Sequence, residues 1–364
     1  MKYLKFDTSE RDVLFYKTLK DRAIQAINQK NIGFGNFNFW FKGIFWVAVT
    51  YLCYLALFSE NISGLQFWFL FLGFQLAGLL VGFSLGHDAS HQTAFKNKKL
   101  NGILHFFSFI TIGIDPVLWG LRHLRSHHVY ANIEGSDVDI DKNPFLRLSP
   151  THPWQPKHRF QVYYAPLVYQ LALLHSVFMS DWIYLFSKDY HWMRKGKSNL
   201  FLRFIIFKVV YFLLVLVLPM LFTKFSIGFI VFTYVTASAF TSLLFVIMLV
   251  GTHFFLEADY PITENTETLE NSWHVHQLKT SCDWNANNSW ARFLSGGSNC
   301  HAAHHLFPNV CHVHYKKINP IIAQTTQEFQ LPYHHKSLWE MMSSHFKHLK
   351  KMGEKITVTF FSTA

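Results

Sequence analysis

Twenty-two of the 364 residues are histidine, and eight of these fall in three short boxes. HDASH holds His87 and His91; HLRSHH holds His123, His127 and His128; HAAHH holds His301, His304 and His305. Spacings of three and four residues place side chains on one face of a helix. A lone histidine is ordinarily a surface or hydrogen-bonded core residue, whereas boxes of this kind read as a ligand set. A further pair, His274 and His276, stands upstream of the third box in SWHVHQ. Imidazole suits zinc, copper, iron and nickel. A structural zinc takes four ligands, so eight or nine imidazoles call for two ions with open positions. Soluble di-iron bundles carry E-x-x-H repeats. None occurs here, so the expected centre is histidine-rich. A CxxCH motif for covalent haem attachment is also missing.

The elements that must position these boxes are apolar. Hydrophobic residues make up 50% of the sequence and charged residues 15%, against about 25% charged in an average protein. Four stretches, 40–58, 67–85, 200–222 and 227–250, approach the roughly 20 apolar residues that cross a bilayer. SENISGLQ separates the first two and TKFS the last two, so each pair reads as a helical hairpin. The expected fold is an all-α integral membrane protein with four transmembrane helices in two hairpins. Residues 1–364 form one domain, with a tail at 1–39 and a helical cap built from 86–199 and 251–364. Buried helices of a large soluble protein are the rival reading, but tight hairpins this long and apolar are rare in soluble cores.

Of the 33 Lys and Arg residues, 29 fall in 1–39, 86–199 and 251–364. By the positive-inside rule those segments, both termini and all the boxes are expected in the cytoplasm. An even number of spans separates the boxes, so they share a face. No short basic start followed by an apolar run marks a cleavable signal. The net charge of +11 is then a feature of topology. No basic helix stands apart from the membrane segments, so no nucleic acid is expected. Cys53, Cys282, Cys300 and Cys311 form no CxxC pair and read as reduced packing residues. Segments 103–119 and 160–180 read as interfacial or re-entrant, and SLWEMMSSHFKHLKKMG as an amphipathic closing helix.

HDASH, HLRSHH and HAAHHLFP, at these intervals and between two apolar hairpins, resemble the membrane fatty-acid desaturase family. RSHHVYANIEGSDVDID resembles that family's segment after its second box. WHVHQLKTSCDW, FLSGGSN and HHLFPNVCHVHYKKINPII resemble the C-terminal part of front-end acyl desaturases. The resemblance implies two iron ions, O2 as co-substrate, a fatty-acyl substrate on CoA or lipid, and the eight box histidines as ligands. It implies His276 as the ninth, because V-H-Q-L matches the context of the family's extra ligand, and leaves His274 a supporting role. Carboxylates are expected to orient the imidazoles, with Asp88, Asp137 and Asp139 as candidates. Asp-x-Asp-x-Asp at 137–141 lacks the Gly and distal Glu of a calcium loop.

Two departures stand out. Front-end enzymes typically carry Gln where this chain has His301, which leaves the double-bond position open. No HPGG haem motif occurs, so a separate electron donor of cytochrome b5 or ferredoxin type is expected. Trp119, Trp273, Trp290 and Phe293 near the boxes either line an acyl tunnel or pack as core and interface residues. Arg122 and Arg125 read as a solvated basic face. A lipid or carotenoid hydroxylase or ketolase on the same scaffold is the alternative. A metal transporter is more remote, since transporter sites lie near the midplane and these boxes lie outside the spans.

Overall fold

The computed structural model describes residues 3–27, 33–141, 143–196, 199–263 and 266–355. Helix α1 (Glu10–Ala26) comes first. The first hairpin pairs α2 (Phe37–Ala56) with α3 (Gly64–Ser90). The Asn36 side chain caps α2 by accepting from the Phe39 amide at 3.2 Å, and Ser63 and Gln66 close a reciprocal capping box on α3. Two excursions follow. The first is α4 (Lys98–Phe109), a turn, and α5 (Pro116–Arg122). The second is α6 (Pro156–Tyr169) and α7 (Ala172–Phe186), bent by 77° at their junction. The second hairpin pairs α8 (Leu200–Phe222) with α9 (Ile227–His253).

Among the described residues, α2, α3, α8 and α9 are the four single helices long and apolar enough to cross a bilayer. They match the four expected stretches, but α3 and α9 run on without a break to Ser90 and His253. The cap adds α10 (Trp273–Thr280), α11 (Ser289–Ser295), α12 (His301–Leu306), α13 (Tyr315–Glu328) and α14 (Leu338–Gly353). Two short parallel strand pairs tie distant segments together: β1 (Lys5–Phe6) with β2 (Thr268–Leu269), and β3 (Cys282–Trp284) with β4 (His334–Lys336).

Both excursions dip between the spans and return. The Leu173 amide donates to Ser242 Oγ at 3.1 Å, about midway along α9. Further on, Trp182 packs against Phe204 with ring centroids 4.8 Å apart, so α7 climbs back beside the start of α8. The Lys208 ammonium on α8 pins both dips. It donates to Gly113 O at 2.8 Å, Val177 O at 3.0 Å and Asp181 at 2.7 Å, while the Asp115 amide donates to the same carboxylate at 2.8 Å. An unpaired charge at this depth is costly, so pairing and full hydrogen bonding are what make the contact tenable. Gly113 turns the first dip at φ +73°, and a Cβ there would sit 2.5 Å from the Tyr211 ring. Glycine alone adopts that conformation freely.

Candidate metal centre

The spans themselves carry part of the site. In α3 a widened π turn at Gly82–Gly86 immediately precedes His87. A second π turn covers His123–His127. Such turns recur at functional sites because they re-aim side chains within a helix. Here the widened turn brings His128, five residues on, over His123, with Nε2 atoms 3.1 Å apart. The third box, α12, is fixed from behind by buried Asp283. Its carboxylate accepts from the Ala302 amide at 2.7 Å, Asn319 Nδ2 at 2.8 Å and the Tyr333 hydroxyl at 2.7 Å. Burial pushes that carboxyl up to about 6, against the pull of these donors. Gly296, just before the box, has φ +60°, and a Cβ there would meet the Phe83 carbonyl at 2.3 Å. The box thus docks directly against α3.

Seven of the eight box histidines, together with His253, converge in two adjoining groups of four. His87, His91, His123 and His304 form one, and His127, His253, His301 and His305 the other. Within each group the candidate ligand atoms all lie within 4.8 Å of one another. His128, His304 and His305 meet the same criterion and bridge the two. His87 and His91 bring Nε2 to 3.2 Å and 3.1 Å from His123 Nε2. His253 brings its Nε2 to 2.6 Å from that of His301 and 3.1 Å from that of His305.

The outward nitrogens are held by the protein. His127 Nδ1 faces the Asp137 carboxylate at 3.2 Å, His305 Nδ1 donates to Gln277 Oε1 at 2.7 Å, His253 Nδ1 to Thr280 O at 2.7 Å and His301 Nδ1 to Ser298 O at 3.2 Å. Each such bond places the proton on Nδ1 and leaves the Nε2 lone pair pointing inward. Burial drives His91, His123, His128, His304 and His305 well below the usual imidazole range, and His301 to about 3. These rings are therefore neutral at neutral pH, the form that binds metal. His127 is the exception: burial lowers it, but Asp137 and Asp139 outweigh that and raise it. His304 is 1% exposed, and neither ring nitrogen finds a hydrogen-bond partner among the described residues. A buried polar group left so is costly. A cation in the first group would take up one of these nitrogens, and the all-imidazole donor set suits a transition metal.

His276, expected as the ninth ligand, lies outside both groups. Its ring packs against Phe6 with centroids 5.5 Å apart, and its Nε2 has no partner among the described residues. Neighbours on a helix point about 100° apart, and on α10 it is Gln277 that turns toward His305. His274 stacks on Tyr16 with centroids 3.4 Å apart, away from the centre. Among the described residues Asp88 makes no hydrogen bond to a box imidazole: it binds the His312 ring and accepts from the His312 amide at 2.9 Å, with Lys42 on the far nitrogen of that ring. Asp88, Cys311 and His312 are close enough to suggest a third metal, but the Lys42 ammonium already fills that corner. Asp139 lies 3.6 Å from His127 and 3.0 Å from Arg122. Trp119 stacks on His123 with centroids 4.4 Å apart; Trp290 is 74% exposed.

The sequence profile described as fatty acid desaturase matches residues 63–337. An acyl-lipid (8-3)-desaturase of Physcomitrium patens is 31% identical over 307 residues, covering 82% of this chain and 63% of the moss protein. The chain thus spans somewhat under two thirds of that relative. An sn-1 linoleoyl-lipid 6-desaturase of Arthrospira platensis is 29% identical, covering 78% of this chain and 76% of its own length. An acyl-lipid (8-3)-desaturase of Mortierella alpina is 26% identical over 93% of this chain and 78% of its own length. Boxes, spans and profile agree, and the chain belongs to the fatty acid desaturase family.

Proposed function

We propose that this protein is an oxidoreductase that introduces a double bond into a fatty-acyl chain, on lipid or CoA, with O2 at a pair of irons. The observation that carries the reading is the meeting of two four-histidine groups with His128 between them. His87, His91, His123 and His304 would hold one iron, and His127, His253, His301 and His305 the other. Bound there, the irons supply the O2-activating redox chemistry that side chains lack. The chain's own residues do the rest. Asp137, Gln277, Thr280 and Ser298 keep the imidazole protons on the outer nitrogens. The dips and the third box exclude water by burying the rings. A separate one-electron carrier of cytochrome b5 or ferredoxin type supplies electrons, and the boxes face the cytoplasm. Single domain organisation of residues 1–364 belongs to the same reading.

The test is product analysis by mass spectrometry after expression in a host lacking unsaturated fatty acids, together with metal analysis. An acyl product lighter by two hydrogens, formed by protein containing iron, is expected. A product heavier by one oxygen would make it a hydroxylase, and zinc without iron under iron-replete growth would remove the redox reading.

A further inference from the structure

Desaturation leaves an electron debt. Reducing O2 to two waters takes four electrons, and converting –CH2–CH2– to –CH=CH– supplies two. The balanced reaction is R–CH2–CH2–R′ + O2 + 2 e⁻ + 2 H⁺ giving R–CH=CH–R′ + 2 H2O, in which two C–H bonds and the O–O bond break. The remaining two electrons must reach the buried histidines from a reduced one-electron carrier protein. We propose that they enter through a surface cleft walled by Trp273, and that its indole relays them to His128; this rests on the desaturase reading above.

The cleft has a volume of about 350 Å³, and His91, His128, Gln92, Leu124, Trp273 and Asn309 are among its walls. Two candidate ligands, one from each of two boxes, thus lie at the buried floor of the cleft, at 7% and 4% exposure. Trp273 is half-buried, and its Nε1–H donates to the His128 carbonyl at 3.1 Å. A continuous path of bonds thus runs from a surface aromatic ring to a histidine that bridges the two groups. The cleft is built from loops and helix ends, including Ser90 at the end of α3, and Gln92 and Asn309 at its mouth are exposed. These exposed amides at the mouth suit a protein partner. Arg125, next to Leu124, is exposed, as are Lys96, Lys98 and Lys99 shortly after Gln92; Glu270 is the exposed acid nearest Trp273 in sequence. The balance favours an acidic carrier, whose docking such charges would steer.

The experiment compares two reductants on the purified, iron-loaded protein by stopped-flow spectroscopy: reduced soluble cytochrome b5 and sodium dithionite. Trp273→Leu is expected to lose the fast phase of reduction by cytochrome b5. Its dithionite rate and iron content should match the parent. Asn309→Trp, at an exposed position, fills the cleft without touching the relay. It should slow cytochrome b5 selectively and also weaken cytochrome b5 binding to the metal-free protein. If both reductants slow together in Trp273→Leu, the indole is merely structural. If Asn309→Trp changes neither the cytochrome b5 rate nor its binding, the entry face is elsewhere; this variant decides alone should Trp273→Leu fail to load iron. A parent protein that holds no iron and forms no olefin defeats the desaturase reading, a result distinct from either of these.

Discussion

His345 on α14 and His304 on α12 are equally hidden from solvent, at 0% and 1% exposure, but their ring nitrogens have different fates. His345 Nδ1 donates to Phe254 O at 2.7 Å, and its Nε2 accepts from the Tyr169 hydroxyl at 2.7 Å. Nearby, His348 Nε2 donates to Leu148 O at 2.8 Å, with Tyr260 stacked on its ring. His304 has no partner on either nitrogen among the described residues and is surrounded by other imidazoles. Burial alone thus does not distinguish a structural histidine from a ligand. The bookkeeping of ring nitrogens does: satisfied rings glue helices together, and unsatisfied rings that face one another wait for a cation.

The largest test of that contrast removes a ring from each class. His253→Ala is expected to abolish product and to reduce bound metal, because a four-imidazole group becomes three. His276→Ala should keep the parental metal content, since its ring lies outside both groups; metal analysis of the purified pair decides it. If His276→Ala lost the metal and His253→Ala kept it, the grouping would be wrong. Next in size, Asp137→Asn keeps the shape beside His127 but removes the charge. A loss of about 10–100-fold in metal affinity or activity is expected, measured by chelator competition. The smallest effect belongs to the structural class. His345→Ala removes a partner from the Tyr169 hydroxyl and from the Phe254 carbonyl, a cost of about 1–3 kcal/mol for each, with metal content unchanged.

The same residue gives a pH signature. Burial holds His345 down at about 3 in the folded protein, against an ordinary value of about 6.5. The unfolded chain therefore binds the extra proton first. The stability His345 contributes is complete above about pH 6.5 and is lost as pH falls toward 3. Thermal unfolding in detergent should show His345→Gln with a flatter decline across that window. Parallel curves for parent and variant would assign the pH dependence to other groups.

The spans and boxes were legible because both are local signals: an apolar run sets a helix, and i,i+4 spacing sets a face. His253 was not, since one histidine at the end of an apolar run has no neighbours to mark it. The available hint was that it ends α9 much as His87 stands near the end of α3. His276 drew attention through its V-H-Q-L context, but the fold turns Gln277 inward instead. Segments 103–119 and 160–180 were readable as interfacial or re-entrant, and both prove to dip. What holds them down, Lys208 against Asp181 and Gly113, joins residues far apart in sequence and left no local trace. The strand pairs, two and three residues long, were invisible for the same reason.

One dimension of α3 and α9 has a consequence for the lipid. At 1.5 Å per residue, His87 stands roughly 35 Å from Gly64, and His253 roughly 39 Å from Ile227, against about 30 Å of hydrocarbon. Upright, the two helices would thus exceed the hydrocarbon thickness by roughly 5 Å and 9 Å. On the desaturase reading proposed above, an acyl chain would stay in its leaflet and lift a short way to be reached. On that same reading, the methylene pair presented to the metal site would be chosen by elevation, with helix length as its ruler.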